Sequence, residues 1–285
     1  MGGPNRAPLA GIESATSSGA GRPATNTNRE RNWRTYVNPS ASTHQSIRQA
    51  ELYGVVDRLD PQLGDTVVEF GCAHGALTGL LSEAVGRDGQ VVALDVNRQL
   101  TSALEGKSGP PNVTVRHPRG GRLPVDSSSA DGVASIATLH HVPLVAQPGL
   151  FREFERVLKP GKPLVVADVA NRTRVAEYFD REVDQTSRAG HKFPFLEMRD
   201  FAALCRSARM DLQQWQVEQV PWVFDDISQA GNFLRDMHDA VIPPMQCLRG
   251  ASRILGISAT SEATLILGWQ LFFAKALKRS DSRTE

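Results

Sequence analysis

The 285-residue chain predicts an α/β fold, an open and mostly parallel sheet with helices on both faces. Three observations carry that prediction. Apolar runs such as "VVALDV", "GVASIA" and "PLVVADV" lack polar alternation, which marks strands buried on both faces. Segments with helical spacing of apolar residues separate them, which calls for crossover connections between parallel strands. The stretch "VVEFGCAHGALTGLL", Val67 to Leu81, passes from a strand through a glycine-spaced turn into a helix.

The elements follow in order. "THQSIRQAELYGVVDRL" places Ile47, Ala50, Leu52, Val55, Val56 and Leu59 near one helical face, and "PQLGD" ends it. Strand "TVVEF" leads through the turn to a helix at about 76–85, with Leu77, Leu80, Leu81 and Ala84 on one side. Strand "QVVALDV", helix "NRQLTSALEG", strand "NVTVRH", strand "DGVASIAT", helix "GLFREFERVL" and strand "PLVVADV" come next. Beyond residue 170 the pattern loosens into helix "RVAEYFDREVDQTS", the link "RAGHKFPF", helix "EMRDFAALCRSARM" and strand "LQQWQVEQV". Two helices near 226–241 and 244–256 read as a helical insertion or lid (about 225–258) before a final strand at about 262–277. Residues 1–30 are rich in Gly, Pro, Ser, Thr, Ala and Asn and bury too little to offset ordering entropy, so they read as a disordered tail. One domain, 31–285 with its core at about 45–215, is expected to follow.

Composition narrows the function. A hydrophobic share of 40% and a charged share of 22% are those of an ordinary globular protein. A net charge of +1 gives no basic face for nucleic acid. The sequence has no apolar run long enough for a membrane helix, and no signal-peptide core in its first thirty residues. Cys72, Cys205 and Cys247 lie far apart without metal or disulfide spacing. A cytoplasmic protein with a small-molecule substrate and no metal is expected. The sequence leaves room for a homodimer.

Open α/β sheets bind ligands where strand C-termini meet helix N-termini, with free N–H groups and the helix dipole pointing outward. Gly71 and Gly75 allow a tight turn and close approach of a ligand to the backbone. A carboxylate at Glu69 is costly to bury alone and should face the crevice. Asp95 ends the second strand 20 residues past Gly75, where dinucleotide folds place an acid on ribose hydroxyls. Two acids flanking one turn suit a ligand with hydroxyls and a cationic part.

"VVEFGCAHG", "VVALDVN", "LPVDSSSADGVASIATLHHV" and "RVLKPGKPLVVADV" resemble the successive motifs of class I S-adenosylmethionine-dependent methyltransferases, over roughly residues 40–210. The resemblance implies a Rossmann-like sheet of seven strands whose last is antiparallel, and S-adenosyl-L-methionine as cofactor. It implies that Glu69 and the turn Gly71, Cys72, Ala73 and Gly75 hold the methionine end, Ala73 standing at the family's middle glycine. It further implies that Asp95 takes the ribose, Val96 packs on adenine, and Ala137 lines the methionine side. Where the family places an acid for the adenine amino group, this chain has Arg119, which offers no acceptor. Losing that bond costs about 0.5–1.5 kcal/mol, and the guanidinium is expected to stack on the ring instead.

The methyl donor is already activated, so alignment in a dry pocket supplies much of the rate, and a hydroxyl acceptor needs a base. His140 and His141 after the fourth strand, and His191 in "GHKFPF", are the candidates near neutral pH. Trp33 and Tyr36 fall where the family often places a cofactor-covering segment, and Trp215, Trp222 and Trp269 are read as core or lid packing. The leading expectation is methyl transfer to a small molecule of specialised metabolism. Its rivals are a non-methylating cyclisation or rearrangement on the same fold, with the cofactor structural or absent, and a non-catalytic partner subunit. An NAD-dependent dehydrogenase fits least, because the turn lacks the G-x-G-x-x-G spacing.

Overall fold

The computed structural model describes residues 46–105, 109–188, 190–192, 194–259 and 264–280. The tail at 1–30, Trp33 and Tyr36 lie outside them. Helix α1 (Gln49–Leu59) precedes the alternation β1 (Thr66–Phe70), α2 (Ala76–Val85), β2 (Gln90–Leu94), α3 (Arg98–Glu105), β3 (Val113–Arg116) and β4 (Gly132–Ile136). A 3₁₀ turn (Leu139–His141), α4 (Gln147–Val157) and β5 (Pro163–Asp168) follow. Next come α5 (Arg174–Tyr178), a π-helical turn (Phe179–Val183), α6 (Asp184–Thr186), α7 (Met198–Ser207) and β6 (Met210–Gln219). Strand β7 (Trp222–Phe224), α8 (Ile227–Met237), α9 (Pro244–Leu255), β8 (Ile257–Ala259), β9 (Leu265–Leu267) and β10 (Gln270–Lys278) complete the described chain.

Seven strands form one sheet in the order β3-β2-β1-β4-β5-β10-β6, with β10 antiparallel to both of its neighbours. This is the expected Rossmann-like sheet, and the continuous apolar runs explain it. Strand β4 is buried at every position and β5 at all but its first, because helices cover both faces. One core lies between the sheet and α1 and α2, where Val55, Leu81 and Phe273 are fully enclosed. The other lies under α4 and α7, where Phe151, Phe154 and Phe201 are enclosed.

Two details depart from the sequence reading. Ala50 is exposed, and Glu51 occupies the buried face of α1 instead. Its carboxylate accepts hydrogen bonds from Trp222 Nε1 and, at 2.8 Å, from Arg48 Nε, which is why burial there is tolerated. The segment expected as a single strand at about 262–277 divides between two sheets. Leu265–Leu267 pairs with β7 and β8 in a small antiparallel sheet, and Gln270–Lys278 enters the main one. Gly268 lies between them, its Cα packed so closely on Leu255 that a Cβ would sit 2.5 Å from that carbonyl oxygen. Trp269 stacks on Trp222 at 3.7 Å, and Trp215 stacks on Phe272 at 4.0 Å. Helix α9 packs on α8 and on α5.

Candidate active site

Chain order reverses at β1, whose neighbours are β2 and β4, so the crevice beyond these strand tips is where an open α/β sheet takes a ligand. A cleft of about 1320 Å³ opens there. It exceeds the roughly 300–1,000 Å³ that a single drug-sized ligand fills. Glu69, Asp95, Val96, Ala137 and His141 all line it, as do Gly71, Cys72 and Ala73.

Glu69 is 1% exposed and accepts a 2.5 Å hydrogen bond from Thr78 Oγ1 on α2. Burial first, and the nearby Asp95 charge after it, raise its pKa to about 7 against the lowering effect of Thr78. Asp95 is fastened by the backbone, with Oδ2 accepting from Ala73 N–H at 2.9 Å and Oδ1 from Asn97 N–H at 2.8 Å. Each oxygen keeps a further lone pair for a ligand hydroxyl. Val96 is 75% exposed although apolar, and it faces the cleft.

The turn is shaped by its neighbours. Gly71 has φ +83°, and a Cβ there would come within 2.1 Å of Thr138 Oγ1. Ala73 adopts φ +43° without being glycine. Gly75 caps α2 at φ +84° and does not line the cleft. Cys72 is buried, and burial with the Glu69 and Asp95 charges raises its thiol pKa far above the ordinary range, so it stays protonated.

Arg119 does not itself line the cleft. Its backbone bridges to Arg122, the residue is exposed, and Pro118, Gly120 and Gly121 line that wall instead. In a Gly-Gly turn the guanidinium meets water more cheaply than it would be desolvated against a ring.

The histidines separate into two settings. His141 lines the cleft, and desolvation against its wall, followed by repulsion from His140, lowers its pKa to about 4 although part of the residue stays open. His140 stands behind it, ring centroids 4.0 Å apart, outside the cleft lining. Its Nδ1 lies 2.6 Å from Asp168 Oδ1, and Asp168 also accepts from the backbone N–H groups of Val169 and His140. Asp168 is 2% exposed, yet the His140 charge and these donors outweigh burial and lower its pKa. His191 is also outside the lining and stacks on Phe195 at 4.1 Å.

Sequence reasoning missed three residues here. Asp168 closes β5 as Glu69 and Asp95 close or follow β1 and β2, so the strand-tip rule could have found it. Arg48 lines the cleft from the start of α1, its Nε and Nη2 turned toward Glu51. Thr78 is a polar residue on the buried face of α2. No periodicity marks the roles of these last two.

A carboxylate enclosed beside a cleft, a second one aimed at hydroxyls, an apolar floor at Val96 and a turn without side chains suit S-adenosyl-L-methionine, which is amine, ribose and adenine in sequence. Fold and site together are those that the resemblance to class I S-adenosylmethionine-dependent methyltransferases implies for this chain. Within it, residues 67–161 match the family described as "Methyltransferase domain". A demethylmenaquinone methyltransferase of Staphylococcus epidermidis is 32% identical over 126 residues, which is 42% of this chain and 49% of that protein. The chain spans about half the length of the curated relatives it matches. Among solved structures, the YcgJ protein of Bacillus subtilis matches with a TM-score of 0.59 at 15% identity, covering 81% of this chain and 99% of that one. The [4+2]-cyclase SpnF matches with a TM-score of 0.53 at 15% identity, covering 80% of each chain. At such identities the likeness is one of fold. Among the described residues no helix is long and apolar enough to cross a membrane.

Proposed function

We propose that this chain transfers a methyl group from S-adenosyl-L-methionine to an oxygen of a small-molecule acceptor, in specialised metabolism. The observation that carries the reading is the convergence of the β1, β2 and β4 tips on one cleft of about 1320 Å³. Glu69 would take the amino group of the cofactor, Arg48 its carboxylate, Asp95 the ribose hydroxyls and Val96 a face of the adenine. Gly71, Cys72 and Ala73 would bring bare backbone against the methionine chain, with Ala137 opposite.

When bound, the cofactor supplies a methyl group already activated by a sulfonium. The protein has to orient the acceptor, exclude water and receive a proton. His140 fits the last task. Asp168 holds its Nδ1–H, which leaves Nε2 as the basic atom and stabilises the imidazolium that forms. The acceptor hydroxyl would give its proton to Nε2 as its oxygen takes the methyl group and the methyl–sulfur bond breaks, leaving the neutral thioether S-adenosylhomocysteine, and the imidazolium would later release the proton to water. His141 remains neutral near pH 7 and serves as a hydrogen-bonding group at the cleft wall.

Isothermal titration tests the binding half. S-adenosylhomocysteine should bind at micromolar strength, and Asp95→Ala should weaken it about tenfold or more, the scale of one or two hydrogen bonds to a charged group. Absence of binding to the intact chain would sink the proposal. Incubation of phenolic acceptors with methyl-labelled cofactor tests the transfer. His140→Ala and Asp168→Asn should each cut turnover by about 10²–10⁴-fold while the homocysteine ligand still binds. Product formed without label would move the chain to the cyclising or rearranging reactions.

A further inference from the structure

One buried carboxylate joins the cleft to the small antiparallel sheet. Arg48, just before α1, lines the cleft with a side chain 16% exposed. Glu51, three residues on, is fully buried. Its Oε2 accepts from Arg48 Nε at 2.8 Å and pairs with Nη2 at 2.6 Å. Its other oxygen, Oε1, accepts from Trp222 Nε1 on β7, 171 residues away. Trp222 is itself enclosed, stacked on Trp269 at 3.7 Å and edge-on to Phe233 of α8 at 5.2 Å. Each oxygen of Glu51 therefore has a donor from a different part of the fold, and the tryptophan end of that pairing is packed on two sides.

We infer that Glu51 is a positioning residue for Arg48, and that Trp222 with the small sheet β7-β9-β8 is the strut that holds the pair in place for the carboxylate of the cofactor's amino acid. The inference rests on the proposed binding of S-adenosyl-L-methionine and gives residues outside the cleft a part in it. A guanidinium carries five N–H donors in a fixed fork, and Glu51 uses Nε and Nη2, so Nη1 still has two to offer an acid in the cleft. Arginine loses much rotamer freedom when it is immobilised. A side chain already tied to Glu51 in the empty protein does not incur that loss again when the ligand arrives. Glu51 also answers the desolvation of a cation that is only 16% exposed. Without that acid the guanidinium stands uncompensated against the cleft wall, and it is driven out to water. Trp222 acts one step further back, since its N–H fixes the carboxylate from the side opposite Arg48's grip.

The test titrates the full chain with S-adenosylhomocysteine and with methylthioadenosine, a nucleoside without the amino acid. Glu51→Gln keeps the size of the side chain and an oxygen for Trp222. It should weaken the homocysteine ligand about tenfold, the scale of one lost charged hydrogen bond, and leave methylthioadenosine within about twofold. The double variant Glu51→Gln/Arg48→Met should bind the homocysteine ligand within about twofold of Arg48→Met alone, because both changes remove the same interaction. Trp222→Phe keeps an aromatic ring on Trp269 and removes the donor. It should weaken the homocysteine ligand about threefold, and it decides the matter if Glu51→Gln does not fold. Methylthioadenosine binding reports that each variant is folded. Unchanged or tighter binding of S-adenosylhomocysteine by either folded variant, an equal loss for both ligands, or additive losses in the double variant overturns the strut and leaves the cofactor reading standing. Failure of the wild-type chain to bind the homocysteine ligand overturns both.

Discussion

Glu69 shows how one residue ties folding to ligand. Its pKa of about 7 lies above the ordinary 4.5, so between those values the folded chain keeps a proton that the unfolded chain releases. By linkage its contribution favours the fold below pH 4.5 and is lost as pH rises through 7, a span worth about 3 kcal/mol. A cation placed beside the carboxylate recovers that loss. S-adenosylhomocysteine should accordingly bind more tightly at pH 8 than at pH 6, whereas methylthioadenosine, which lacks the amino acid, should bind alike at both. Glu69→Gln should flatten the first profile. Parallel slopes for the two ligands would remove Glu69 from the amine. Arg48→Met belongs to the same comparison. It should weaken the homocysteine ligand about tenfold, as expected for a lost charged hydrogen bond, and spare methylthioadenosine.

At the scale of elements, the β1–α2 turn is set from outside itself. Gly64 and Gly71 share nearly the same backbone, φ +85° and +83°, but a Cβ at Gly64 meets nothing within 4 Å. Both Gly→Ala changes carry the left-handed penalty of about 1–2 kcal/mol, and only Gly71→Ala also drives a methyl into Thr138. Thermal denaturation should therefore show Gly71→Ala as the more damaging, with loss of nucleoside binding. Equal melting temperatures would contradict the packing argument. Ala73 already bears that penalty at φ +43°. Ala73→Gly should gain at most about 1.6 kcal/mol, because added freedom of the unfolded chain takes back about 0.4–1 kcal/mol of the left-handed penalty. Much at this scale was readable in the sequence. Helix α2 spans the expected 76–85, and the buried strands follow their apolar runs. The π-helical turn was not, because "RVAEYFDREVDQTS" has ordinary helical spacing.

Over the whole molecule, acid stability depends on imidazoles kept neutral by burial. Desolvation lowers His238 to about 3, and lowers His191 as well. As pH falls below 6.5 the unfolded chain binds protons that these sites refuse, so stability falls. Glu69 acts in the opposite sense but holds one proton against two. The chain should therefore lose stability between pH 6.5 and 4, as read by denaturant unfolding. His238→Phe should lose on the order of 2 kcal/mol less over that range. An unchanged acid limb in the variant would show that His238 titrates freely.

The consecutive residues alone determined the alternation of strands and helices, the side-chain-poor turn and the strand-tip acids Glu69 and Asp95. Period, turn chemistry and the approach of backbone to ligand are properties of neighbours in sequence. Folding alone decided which distant residues meet. Asp168 reaches His140 across 28 residues, Trp222 reaches Glu51 across 171, and Phe179 gathers His191 and His238. Such pairings answer the cost of burying polar atoms, a cost incurred only once tertiary packing has removed the water.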